Sequence, residues 1–137
     1  MKLIFTILFW LIGSVIAGEL TDLKIEITKE IPESECKIKA TSGDLVSVHY
    51  TGRLLSDDKV FDSSFQRNKP IDFVLGRGYV ISGWDKGVNG MCIGEERTLY
   101  IPSDMGYGAR GAGGVIPPNA DLIFETKLVD IQRQDEL

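Results

Sequence analysis

At 137 residues, the chain fits one ordinary domain once a targeting segment is set aside. Hydrophobic residues make up 43% of it, enough for a compact core, and the composition excludes an intrinsically disordered chain. The formal charge is −5 and no run of basic residues interrupts it, which argues against nucleic acid or anionic lipid as a partner.

Met1-Lys2 opens the chain, and an apolar run follows from Leu3 to Ile16. That run is shorter than the roughly 20 residues a helix needs to span a bilayer. Residues 1–17 therefore read as a cleavable signal peptide, with Val15 and Ala17 suiting the two subsites before a cut between Ala17 and Gly18. An uncleaved signal anchor is the alternative. Cleavage leaves 14 basic against 20 acidic residues, a net −6, and nothing in the mature chain to hold it to a membrane.

The mature chain reads mostly as strands. Asp22 to Lys29 alternates strictly, with Leu23, Ile25 and Ile27 on one face. Cys36 and Cys92 are the only cysteines, so in an oxidising compartment their pairing is forced if a bond exists; two buried free thiols are the other reading. With no paired C-x-x-C clusters and His49 as the sole histidine, no metal site is expected. No G-x-S-x-G elbow supports a hydrolase.

Leu45 to Tyr50 places Val46, Val48 and Tyr50 on one face. Ser56-Asp57-Asp58-Lys59 is a turn cluster that closes a hairpin between Leu54 and Val60. Ile71, Phe73 and Leu75 alternate before Gly76, as do Arg97, Leu99 and Ile101 before Pro102. The last strand runs from Asp121 to about Ile131, where Leu122-Ile123-Phe124 suggests burial on both faces. Trp84, Val88 and Met91 form one helical stripe. Ser82 and Asp85 suggest a capping-box start, and Gly90 or Gly94 the end. Gly87 and Gly90 weaken this helix, so packing on the sheet must hold it. The resulting fold class is α+β, a single domain with an antiparallel sheet around one short helix.

A Gly- and Pro-rich segment lies between Pro102 and Asp121. It holds a literal G-x-G-x-x-G, Gly106 to Gly111, but Pro117-Pro118 and the following strand deny it the helix a dinucleotide site requires. Such a loop inside a compact domain suits the rim of a pocket. The chain ends Gln134-Asp135-Glu136-Leu137, which resembles the K-D-E-L and H-D-E-L retrieval signals; with the signal peptide it places a soluble protein in the endoplasmic reticulum lumen.

Six motifs in register then resemble the signatures of the FKBP (tacrolimus-binding) peptidyl-prolyl isomerases, over residues 43–131. They are Val48-His49-Tyr50-Thr51-Gly52, Phe61-Asp62-Ser63-Ser64, Arg67-Asn68-Lys69-Pro70, Val80-Ile81-Ser82-Gly83-Trp84-Asp85, Tyr107-Gly108 and Ile116-Pro117-Pro118. The signal peptide, the cysteine pair and the tail are similar to the luminal branch of that family. The resemblance implies a half-open sheet of about five strands cupping the helix. It divides the chain into the signal peptide, an N-terminal strand segment at 18–42, the isomerase domain at 43–131 and the tail at 132–137.

By the same resemblance Trp84 forms a pocket floor, and Tyr50, Phe61, Ile71, Val80, Ile81, Ile116 and Phe124 its walls. Asp62 and Tyr107 are polar groups at the rim, Arg67 partners Asp62, and the Ile81 N–H donates to a bound carbonyl. Asp62, Tyr107, Ile81 and Phe61 are the residues expected to carry catalysis. Ile71 replaces a frequent aromatic and Ala112 an occasional histidine; both bear on affinity and preference more than on activity. The implied function is proline isomerisation in client proteins of the secretory pathway, without a cofactor, inhibited by tacrolimus and rapamycin. The implied partners are those clients, the two macrolides and a retrieval receptor, with a monomer expected. A non-catalytic proline-segment binder and a holdase chaperone are the alternatives that use the same cleft.

Overall fold

The computed structural model describes residues 20–133. The signal segment with its Ala17/Gly18 cut and the tail Gln134 to Leu137 lie outside the described residues.

Alternation governs the longest strands. Along β2 (Leu45–Leu54), every second residue is buried, and Val46, Val48, Tyr50 and Leu54 face the core. Five further strands accompany it: β1 (Lys24–Lys29), β3 (Val60–Ser63), β4 (Ile71–Val74), β5 (Glu96–Ile101) and β6 (Leu122–Gln132). They form one antiparallel sheet in the order β1-β5-β6-β2-β3, with β4 also on β2. Where about five strands were expected there are six. β6 pairs along all of β2, while β4 pairs with residues 45–48 of β2 and β3 with residues 51–53. The excursion between β3 and β4 thus interrupts what would be one outer strand.

The hairpin between β2 and β3 turns at Asp58, whose φ is +64°, and Leu54 N–H closes it on Lys59 O at 3.0 Å. In β6 Leu122, Ile123 and Phe124 are all buried, as their unbroken apolar run implied. β1 is an edge strand with every residue exposed; its apolar stripe, Ile25 and Ile27, reaches solvent.

The helix α1 (Ser82–Gly87) is shorter than its pattern suggested. Trp84, Val88 and Met91 are all buried, but Met91 reaches the core from the turn beyond the helix. The capping-box reading is corrected: Ile81 is the N-cap, no side chain caps the start, and the Ser82 hydroxyl donates to Met105 O at 3.4 Å. The Asp85 carboxylate instead accepts from Gly76 N–H at 2.8 Å and Gly78 N–H at 3.1 Å. Gly87 does more than weaken the helix. A Cβ there would stand 2.6 Å from the Leu99 side chain, and one at Gly83 would stand 2.7 Å from Ile101, so the two glycines let α1 lie directly on β5. Beyond the helix, Arg97 donates to Gly87 O at 2.9 Å and Asn89 O at 3.0 Å, satisfying carbonyls the helix leaves open.

Cys36 and Cys92 are joined, with Cα atoms 5.5 Å apart, so the open choice between a disulfide and free thiols resolves to the disulfide. The bond fastens the segment before β2 to the turn after α1. The long loop contains 3-10 turns at Ser103–Met105 and Gly108–Arg110, and no α-helix starts in its glycine motif. Its two ends meet at Asp121, whose carboxylate accepts from Ser103 N–H at 3.0 Å.

Candidate active site

Between the helix and the sheet lies a cavity of about 220 Å3. Tyr50, Phe61, Asp62, Ile71, Val80, Ile81, Trp84, Tyr107 and Phe124 line it, together with Tyr79. Strand alternation delivers Tyr50 and Phe124 to this side, α1 delivers Trp84, and β3 delivers Phe61 and Asp62. The rings lock edge to face: Trp84 with Tyr50 at 4.9 Å, Trp84 with Phe124 at 5.3 Å and Phe61 with Phe124 at 5.6 Å between centroids. Gly52 makes this possible. A Cβ on it would sit 2.6 Å from the Phe124 ring and 2.8 Å from that of Phe61.

One polar cluster stands beside these rings. The Tyr50 hydroxyl donates to Asp62 Oδ2, Arg67 Nη1 donates to Asp62 Oδ1 at 2.8 Å, and Arg67 Nη2 donates to Tyr50 Oη at 2.7 Å. Burial tends to raise the pKa of Asp62, but the hydrogen bonds from Arg67 and Tyr50 and the guanidinium charge outweigh it and hold it below the ordinary carboxylate value. Burial raises the phenol pKa of both Tyr50 and Tyr107, and the Asp62 carboxylate adds to each shift. At neutral pH, the site thus carries an ionised carboxylate and two protonated phenols.

Several donors at the cavity remain open. Among the described residues, neither the Ile81 N–H nor the Tyr107 hydroxyl has a hydrogen-bond partner, and both residues line the cavity. Tyr107 is 40% exposed, so its hydroxyl is within reach of an incoming ligand. The Trp84 indole N–H is buried and also lacks a partner. No group of three His, Cys, Asp or Glu side chains that could hold a metal ion occurs among the described residues.

Two residues assigned to the pocket do not line the cavity. Ile116 is buried, but its backbone closes a tight bridge with Ala112, and it borders a separate open depression between the long loop and the Leu54–Lys59 turn. Arg67 stands outside, its guanidinium 5.8 Å from the centre of the Tyr50 ring, and acts on the cavity through Tyr50 and Asp62. Sequence reasoning missed Tyr79. A lone aromatic after Gly76-Arg77-Gly78 carries no periodic signal; its one clue was its place directly before Val80-Ile81.

A larger hollow of about 470 Å3 lies on the far side of the sheet, bordered by His49, Thr51, Phe65 and Arg97 among others. His49 Nδ1 meets Ser64 Oγ at 2.7 Å, and the imidazole stacks on Phe65 at 4.4 Å; the Arg97 side chain turns the other way, to Glu95 and the carbonyls of Gly87 and Asn89 on the helix side.

A half-open antiparallel sheet cupping one short helix, with an aromatic cleft between them, fits a family that residues 36–129 match, described as FKBP-type peptidyl-prolyl cis-trans isomerase. The chain belongs to that family and is a peptidyl-prolyl cis–trans isomerase. Over 135 residues it is 59% identical to FK506-binding protein 2 of Kluyveromyces lactis, covering 96% of this chain and 95% of that protein. It is 58% identical over 120 residues to peptidyl-prolyl cis-trans isomerase FPR2 of Saccharomyces cerevisiae, covering 88% and 89%. FK506-binding protein 2 of Dictyostelium discoideum is 46% identical over 133 residues, covering 96% and 99%.

Proposed function

We propose that the aromatic cleft turns over X–Pro bonds in secretory-pathway proteins within the endoplasmic reticulum lumen. One observation carries this reading: two unpartnered donors, Ile81 N–H and Tyr107 O–H, come from separate segments to one apolar floor.

Rotation about the amide must cross about 18–20 kcal/mol because it breaks resonance. The planar ground state is dipolar, whereas the twisted state has lost most of its charge separation. An apolar floor of Trp84, Phe61 and Phe124 therefore disfavours the ground state more. The Tyr107 hydroxyl donates to the carbonyl before the proline, and the Ile81 N–H to the carbonyl of the proline itself, holding the chain on both sides of the rotating bond. Asp62 acts through its charge and by fixing Tyr50; it transfers no proton, since rotation moves none. Each tenfold in rate requires about 1.4 kcal/mol, so a few contacts of this kind suffice.

Tacrolimus and rapamycin occupy the same cleft and compete with substrate. A soluble monomer suffices for the reaction, since one chain holds all the residues assigned to it. The signal segment delivers it to the lumen, and the tail Gln134 to Leu137 is read there by a retrieval receptor. A protease-coupled proline-isomerisation assay tests the site: tacrolimus should abolish turnover, and turnover that persists at saturating drug contradicts the assignment. Deleting the last four residues tests the address. Secretion of the truncated protein is expected, and equal retention with and without the tail contradicts it.

A further inference from the structure

Tyr79 borders the cleft and yet is 72% exposed, more than any other large hydrophobic side chain among the described residues. Among those residues no hydrogen bond or ring contact holds its phenol. The backbone beneath it, by contrast, is firmly held. Gly76 and Gly78 N–H both donate to the Asp85 carboxylate of α1, and Arg77 donates to Ser42 Oγ at 3.1 Å. A flat amphipathic ring on a fixed support, with only two side-chain torsions to order, offers contact area at little entropic cost.

Two residues further along is Ile81. If its N–H receives the carbonyl of the substrate proline, the next substrate residue leaves the cleft beside the 76–81 segment. Of the three side chains of that segment that line the cavity, Tyr79 is the exposed one, while Val80 and Ile81 are half-buried. We infer that Tyr79 is a specificity-determining residue, which favours substrates with an aromatic or large aliphatic side chain immediately after the proline. The inference rests on the cleft assignment above and names a substrate preference that the assignment alone does not.

The test is NMR exchange spectroscopy on Ala-Ala-Pro-Xaa peptides, with Gly, Leu or Phe as Xaa, for the wild type, Tyr79→Phe and Tyr79→Ala. The wild type should favour the Phe peptide over the Gly peptide by about fivefold in kcat/KM, through KM. Tyr79→Phe should keep that ratio, and Tyr79→Ala should bring it close to one. An unchanged ratio in Tyr79→Ala, or an equal loss on all three peptides, overturns the inference. In a second series that varies the residue before proline, Tyr79→Ala should leave the ratios alone; a shift confined to that series overturns the assignment too. Trp84→Leu serves as the separate control on the cleft, since it should weaken all three peptides together. If it affects none of them, the cleft assignment falls and takes the role of Tyr79 with it.

Discussion

On the helix side of the sheet, a hollow of about 220 Å3 is walled by interlocked aromatic rings; on the far side, one of about 470 Å3 is bordered by threonines, charged side chains and the His49–Phe65 stack. The smaller hollow has the features that suit chemistry, for two reasons. Its floor is made of interlocked aromatic rings, and the Ile81 N–H and Tyr107 hydroxyl stand open beside it, whereas the larger hollow is bordered mainly by hydroxyls and exposed charged side chains and has its imidazole engaged with Ser64. Size alone therefore says little about where a ligand goes. What matters is an apolar enclosure with a few polar groups placed to orient what enters it.

The contrast can be sharpened first by a change that touches neither hollow, and the largest effect should come from there, at the buried ion pair beneath α1. Glu95 and Arg97 are buried, and Glu95 also accepts from Cys92 N–H at 2.8 Å. Glu95→Ala leaves the Arg97 charge buried beside α1, and should destabilise the fold by about 3 kcal/mol in chemical denaturation. Its kcat/KM per folded molecule should stay at the wild-type value. A selective loss of turnover would show that the two regions are not separate.

On the helix side, Asp62→Val removes the acceptor for Tyr50 and Arg67 together. Arg67 is 52% exposed and stays hydrated, so the cost should fall on function: more than about tenfold in kcat/KM, with little change in the melting temperature. Tyr107→Phe removes one hydroxyl and a hydrogen bond of about 1 kcal/mol, and should reduce kcat/KM by about tenfold at most.

The smallest effect expected is that of pH. Asp62 titrates below the ordinary carboxylate range, and Tyr50 and Tyr107 above the ordinary phenol range. From about pH 6 to about pH 9, kcat/KM should therefore be nearly flat, where a titrating general acid or base would give a bell. Stability should respond outside that window: in alkali, where the raised phenols lose their contribution as pH rises above the ordinary phenol range, and in acid. A depressed carboxylate stabilises above its unfolded pKa and loses that contribution as pH falls through the folded value, and Asp44, held down chiefly by its hydrogen bond from Arg133, behaves in the same way.

Much of this was legible in the sequence where a pattern repeats. Strict alternation announced β2 and the aromatic residues it shares with β6, and the stripe of Trp84, Val88 and Met91 announced burial against the sheet. Single hydrogen bonds were not legible. Ser82-x-x-Asp85 looks like a capping box, but the Asp85 carboxylate finds two glycine N–H groups in the preceding turn, a contact between segments with no local signature. The reach of α1 was overread because the stripe of buried residues continues to Met91 past the last helical residue, and Gly87, which looks like a helix weakener, together with Gly83 lets the helix sit on Leu99 and Ile101. Ile116 looked like a wall residue by its place in a motif; it is buried in the same cluster as Tyr50, Trp84 and Phe124, and its tight bridge to Ala112 has no signal in the sequence.

The most direct test of the central claim is Trp84→Leu, measured by thermal melting, isomerase kinetics and tacrolimus titration on one preparation. Trp84 is the ring that Tyr50, Phe73 and Phe124 all contact, and the floor of the cleft is built on it. The predicted result is a cooperative melt with turnover reduced by more than about tenfold and tacrolimus binding weakened in parallel. A folded variant with wild-type turnover and wild-type drug affinity would contradict the assignment of catalysis to this cleft.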